Sequence, residues 1–198
     1  MSKRSSIFPI LLLLLIFLVL TVVTPSHIGN QKIHAAPQET MVRCEPASIS
    51  SEFTTPVAFT IYVENVNELN AADVRMSFDT SIAHVLDAEP NIPSTQIEIL
   101  DEFLAPDFVV RKVADNSAGT IWYANTQVNP SPPVSGSGAL ARVTLSPQKA
   151  GKFTLHFTHH ELVLKNGVQI PTTARDCDVW FYDPDKLELI YLPVVFAK

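Results

Sequence analysis

An all-β, two-sheet sandwich is the fold class this chain predicts, and three observations predict it. Val57, Phe59, Ile61 and Val63 alternate with Ala58, Thr60, Tyr62 and Glu64, and Val74, Met76 and Phe78 alternate with Asp73, Arg75 and Ser77. A period of two puts each apolar set on one face of a half-buried strand. Proline outnumbers glycine, 15 to 6, and the apolar runs are short, as in strands separated by frequent turns. No long segment after residue 35 has helical periodicity, which leaves sheet-on-sheet packing as the way to build a core.

In chain order, Met1–Ser6 carries Lys3 and Arg4, and Ile7–Val23 is an uncharged apolar run. Cations followed by an apolar stretch have the layout of a helical secretory signal, with Ala35-Ala36 before Pro37 as the cleavage region. We therefore assign 1–36 to a signal peptide and expect a secreted or cell-surface protein. The run of about 17 residues is at the lower edge of bilayer-spanning length, so a retained anchor is the competing reading. Lys3, Arg4 and Lys32 are the only charges in the first 35 residues, so without them the formal net charge of −6 becomes −9. A surface this acidic repels nucleic acid and anionic lipid, which excludes both as partners and leaves membrane contact to the signal segment.

Residues 37–182 form the expected domain. Val42–Glu45 is a short first strand stopped by Pro46, and Ser48–Thr55 is polar enough to read as a linker. The alternating strand Val57–Glu64 follows, with Asn65–Asn70 read as a turn. Val74, Met76 and Phe78 line the next strand. Asp79-Thr80-Ser81 then supplies small polar side chains that bond back to their own backbone and turn the chain over an edge of the core. Val85-Leu86 is a short apolar run ending at Pro90. Asn91–Pro106 is irregular, with Ile97, Ile99, Leu100, Phe103 and Leu104 available to cover one end of the core. Phe108–Val113 and Thr120–Gln127 read as a hairpin around Asp115–Gly119. NPSPPVSGSG, 129–138, reads as an exposed loop. Leu140–Leu145 and Phe153–Phe157 are two further strands, the second with Phe153, Leu155 and Phe157 inward. Glu161–Leu164 precedes the turn signal Asn166-Gly167, and Asp176–Tyr182 closes the domain. The apolar tail 183–198 is too short to cross a membrane; it reads as a sorting or attachment segment or as a last strand packed on the domain.

The stretch AADVRMSFDTSIAHVLDAEP, Ala71–Pro90, resembles the cohesin domain. The shared features are Ala72, Asp73, the alternating apolar residues, Phe78-Asp79 and Ile82, following Glu64-Asn65-Val66-Asn67. The likeness runs from about Val42 to Val179, with Thr80 standing where the family commonly has proline. The resemblance implies a nine-strand jelly-roll sandwich that binds a dockerin-like protein partner and does no chemistry. It also implies a role for Asp73, which matches the aspartate on the third strand that faces the dockerin. The asparagine often found two positions before it is Ala71 here. Arg75 and Ser77 share the face of Asp73 by alternation, and Trp122 completes the candidate partner-binding set.

Cys44 and Cys177 lie near the two ends of the domain. An oxidising compartment favours their pairing over two buried thiols. The resemblance makes the first and last strands neighbours, which would set the two side by side.

No pattern calls for a cofactor or a metal. No serine lies in a Gly-x-Ser-x-Gly elbow. His159-His160-Glu161 is the best metal candidate, but adjacent strand residues point to opposite faces. Asp101, Glu102 and Asp107 lie in a loop with nothing to hold two carboxylates at a fixed separation. Calcium loops are absent, and in cohesin systems that motif belongs to the dockerin. Two rival readings remain: a structural cell-surface domain, and a carbohydrate-binding module that stacks sugars on Trp122, Tyr123, Trp180 and Tyr182. In the second, adjacency sends one of Trp122 and Tyr123 into the core.

Overall fold

The computed structural model describes residues 38–186. The expected signal peptide, 1–36, and residues 187–198 of the apolar tail lie outside the described residues. Thirteen strands make up the domain: β1 (Met41–Glu45), β2 (Ser48–Glu52), β3 (Val57–Ser77), β4 (Ala83–Val85), β5 (Thr95–Gln96), β6 (Glu98–Ile99), β7 (Phe108–Asp115), β8 (Thr120–Thr126), β9 (Val134–Pro147), β10 (Gly151–Leu164), β11 (Gln169–Ile170), β12 (Thr173–Arg175) and β13 (Cys177–Tyr182). The count exceeds the expected nine because terminal and loop segments add short pieces to the sheets. The only helical element among the described residues is a single 3-10 turn, Pro184–Lys186.

The strands form one hydrogen-bonded network folded into two layers. One layer runs β12-β1-β3-β9, with β4 and β6 on the far side of β9. The other runs β2-β13-β10-β3-β8-β7-β5. β3 belongs to both. Its first half, with Phe59, Ile61 and Val63 buried, pairs with β1 and β9, and its second half, with Val74 and Met76 buried, pairs with β8 and β10. Tyr123, Phe181, Leu140, Leu145 and Leu155 fill the space between the layers. Each fully buried leucine or phenylalanine among them stabilises the fold by about 1.5–3 kcal/mol.

Asn65–Asn70 is therefore a bend inside one strand of 21 residues rather than the expected turn. The strand changes layers there through register shifts on either side of Val66, with φ of 56° at Asn65 and 55° at Glu68. A bulge leaves backbone N–H groups without ladder partners. Ser137 Oγ accepts from the N–H of Asn65 at 3.0 Å and Ser135 Oγ from that of Glu68 at 2.9 Å. This corrects the reading of 129–138 as an exposed loop throughout. From Val134 the segment is strand β9, and its serines satisfy the bulges of β3 while Gly136 pairs with Val66. Gly138 is required by packing, because a Cβ there would overlap the ring of Phe103.

Two more expectations change. Ser48–Thr55 is not simply a linker, since Ser48–Glu52 is an edge strand paired in parallel with β13, and Ile49 packs on the core. Its serines hid it, because only one face of an edge strand needs to be apolar. Phe153–Phe157 and Glu161–Leu164 are one strand, β10, with a bulge between Phe157 and His159 that flips the alternation midway.

The two terminal segments run side by side. β1 pairs in parallel with β12 through Arg43↔Arg175, and β2 with β13 from Ser48↔Asp178. Between those pairs both chains step from one layer to the other. Cys44 and Cys177 sit at that step, disulfide-bonded, with Cα atoms 5.9 Å apart. The expected neighbourhood of first and last strands is thus present, and the bond closes it where the ladder is interrupted.

Candidate functional site

The second half of β3 is central in its layer, with β10 on one side and β8, then β7, on the other. Val74 and Met76 point into the core, so Asp73, Arg75 and Ser77 point outward. Register sets their neighbours. Asp73 lies between Glu161 and Ala124, Arg75 between His159 and Trp122, and Ser77 between His156 and Thr120.

Three of the four predicted partner-binding residues form one cluster. The Asp73 carboxylate accepts from Arg75 Nε at 3.2 Å and from an Arg75 terminal nitrogen at 2.9 Å. Its Oδ1 also accepts from the Trp122 indole N–H at 3.0 Å. The Arg75 guanidinium carbon lies 4.3 Å from the centroid of the Trp122 ring. The hydrogen bond to Asp73 raises the Arg75 pKa further above its ordinary value. Bidentate pairing and cation–π stacking hold these flexible side chains in one geometry before anything binds. Ser77 lies one step further along the same face and joins no hydrogen bond of the cluster.

Three contributors escaped sequence reasoning. Arg111 on β7 reaches the Trp122 ring at 5.2 Å, on a strand whose register with β8 shifts between Val109 and Arg111. His159 and Glu161 on β10 stand next to Arg75 and Asp73, with His159 Nε2 3.5 Å from Glu161. Only strand pairing brings them there, and the β10 bulge scrambles the alternation that would have signalled it.

His159 and His160 point to opposite faces. His160 Nε2 lies 3.3 Å from the carbonyl oxygen of Thr172, away from the His159–Glu161 pair. Among the described residues no three metal-ligating side chains converge. Asp107 caps the loop, accepting from the Val128 N–H at 2.9 Å. Bonding from Ser131 and Val128 holds its carboxyl below the usual range. Of the adjacent aromatics, Tyr123 is buried and Trp122 faces out, as alternation requires. Burial pushes the Tyr123 phenol up.

The architecture matches solved cohesin structures. A type II cohesin domain from the cellulosome of Acetivibrio cellulolyticus superposes with a TM-score of 0.58 at 12% identity, covering 73% of this chain and 95% of that one. A chain of a type I cohesin–dockerin complex from Clostridium thermocellum gives 0.53 at 8% identity, covering 73% and 100%. A non-cellulosomal cohesin from the archaeon Archaeoglobus fulgidus gives 0.51 at 12% identity, covering 74% and 93%. No protein-family model and no curated protein matches the sequence. The fold is that of the cohesin jelly roll.

Proposed function

We propose that this chain is an exported, non-catalytic binding module that takes a dockerin-type or other surface protein on the outward face of β10, β3, β8 and β7. The observation that carries the reading is the Asp73–Arg75–Trp122 cluster, with Arg111 against the same indole, fixed at the centre of a sheet face. A flat strand surface carrying an ordered arginine–aromatic cluster has the composition of a protein interface, where arginine and tryptophan anchors dominate the energy. It has no shape that would exclude water from a reacting centre. Similarity of fold to domains solved in complex with dockerins supports the partner class. The disulfide and the cationic, apolar leader support export.

The test is binding. The full chain, immobilised, is presented with purified type I and type II dockerins and with secreted proteins, and complexes are measured by calorimetry. A saturable complex lost on Asp73→Lys is expected. A complex that forms unchanged with Asp73→Lys would place the partner elsewhere on the domain. Failure of every dockerin while another secreted protein binds would remove dockerins as the partner class.

A further inference from the structure

A second, separate site lies on the same layer at the other end of β10. Two successive outward tiers cross three strands there. Lys152 on β10, Trp180 on β13 and Ser50 on β2 form one, and Thr154, Asp178 and Ser48 form the next. The first tier is tall and the second short, so the pair makes a step. The resulting recess, about 400 Å³, is lined by these six side chains with Phe153 and Val179 beneath. Its volume is within the range of about 300–1,000 Å³ usual for small-ligand sites.

The lining has a particular chemistry. Trp180, 37% exposed, supplies an aromatic wall. The ring is fixed in place, with Tyr182 tilted against it at 5.6 Å and the Lys152 ammonium 4.4 Å from its centroid. Asp178 Oδ1 accepts from the Thr154 hydroxyl at 3.0 Å, leaving Oδ2 as an acceptor. Ser48 and Ser50 add hydroxyls that donate or accept. Among the described residues, neither Lys152 nor Asp178 forms an ion pair. One cation and one anion therefore face a single recess without neutralising each other.

We infer that this recess binds a neutral sugar, as one or two residues of a polysaccharide chain. A sugar ring presents an apolar C–H face and a rim of hydroxyls, which matches one aromatic wall and a surround of mixed donors and acceptors. A lipid would need an apolar lining. A ligand of either single charge meets one like and one opposite charge, so the pair gives it no net attraction. Lys152 and Glu161, the β10 neighbour of Asp73, are nine residues apart. At about 3.3 Å per residue these two residues are roughly 30 Å apart, and Thr154, at the near edge of the recess, is about 16 Å from His159, the neighbour of Arg75.

The inference does not rest on the protein-partner reading. It is tested by affinity electrophoresis of the full chain in native gels containing hydroxyethylcellulose, xyloglucan, glucomannan or, as a charged comparison, polygalacturonate. At least one neutral polymer should retard the chain. Trp180→Ala and Ser50→Arg should each weaken that retardation tenfold or more. Ser50→Arg fills the recess without removing the ring, and so decides the matter if Trp180→Ala folds poorly. Protein-partner binding should be unchanged in both. No retardation by any neutral polymer, retardation only by polygalacturonate, or retention of binding in a folded variant would each overturn the inference.

Discussion

The indole N–H of Trp122 donates to the Asp73 carboxylate across 3.0 Å, joining neighbouring strands whose residues are 49 apart in the chain. That bond orients both the tryptophan and, through the shared carboxylate, Arg75. Asp73→Ala should therefore disorder the cluster without unfolding the domain. The Trp122 environment would change, shifting tryptophan fluorescence, and partner affinity would fall at least tenfold. The melting temperature should move little, because exposed ion pairs contribute little to stability. An unchanged emission spectrum in Asp73→Ala would show that the bond does not set the ring.

Reducing the Cys44–Cys177 bond, or replacing both residues by alanine, should lower stability by about 2–5 kcal/mol while leaving the far-ultraviolet circular dichroism at room temperature intact. The bond spans 133 residues of sequence, so its loss greatly enlarges the unfolded ensemble. Denaturant melts with and without reductant measure this, and coincident curves would contradict it.

Gly138→Ala should cost about 1–3 kcal/mol, the range for overpacking a filled site. The added methyl would overlap Cβ, Cγ and Cδ2 of Phe103, which cannot withdraw as a flexible chain end can. Phe103→Ala in the same chain should recover part of the loss. A double-mutant cycle with no coupling energy would refute the contact.

Acid should destabilise the domain only at low pH. Bonding from Ser81, Ser131 and Lys186 respectively lowers the carboxyls of Asp79, Asp107 and Asp183. Burial raises Asp176, but the Phe157 N–H and His156 outweigh it, so its net shift is also downward. A carboxyl depressed in the folded state contributes stability above its unfolded pKa of about 3.9, and that contribution is lost as pH falls through the folded value. The urea midpoint should be level from pH 5 to 6 and drop below about pH 4, less steeply in Asp107→Asn. A drop that begins above pH 5 would point to other groups.

Alternation made much of the fold and part of the site legible. Val57–Val63, Val74–Ser77 and Thr120–Thr126 are strand where the period of two predicts it, and the same parity placed Asp73 and Arg75 outward and separated Trp122 from Tyr123. It failed wherever the period breaks. Asn65–Asn70 looked like a turn because two bulges interrupt β3, and β10 looked like two strands because its bulge inverts the pattern at His159. Ser48–Glu52 looked like linker because its register lies with a strand 130 residues away.

By itself the sequence determined the two-layer β class, the strand on which Asp73 lies and the face it shares with Arg75, because side-chain direction along a strand depends only on local backbone geometry. Tertiary structure alone decided that the Trp122 indole bonds Asp73 and that Arg111 reaches the same ring, that Ser135 and Ser137 satisfy the bend of β3, and that Trp180 meets Lys152, Asp178 and Ser50 around one recess. Each of those depends on strand register. The alternation within one strand gives the face but leaves open which residue of a distant strand lies opposite, and bulges such as those in β3, β7 and β10 shift that pairing by a residue.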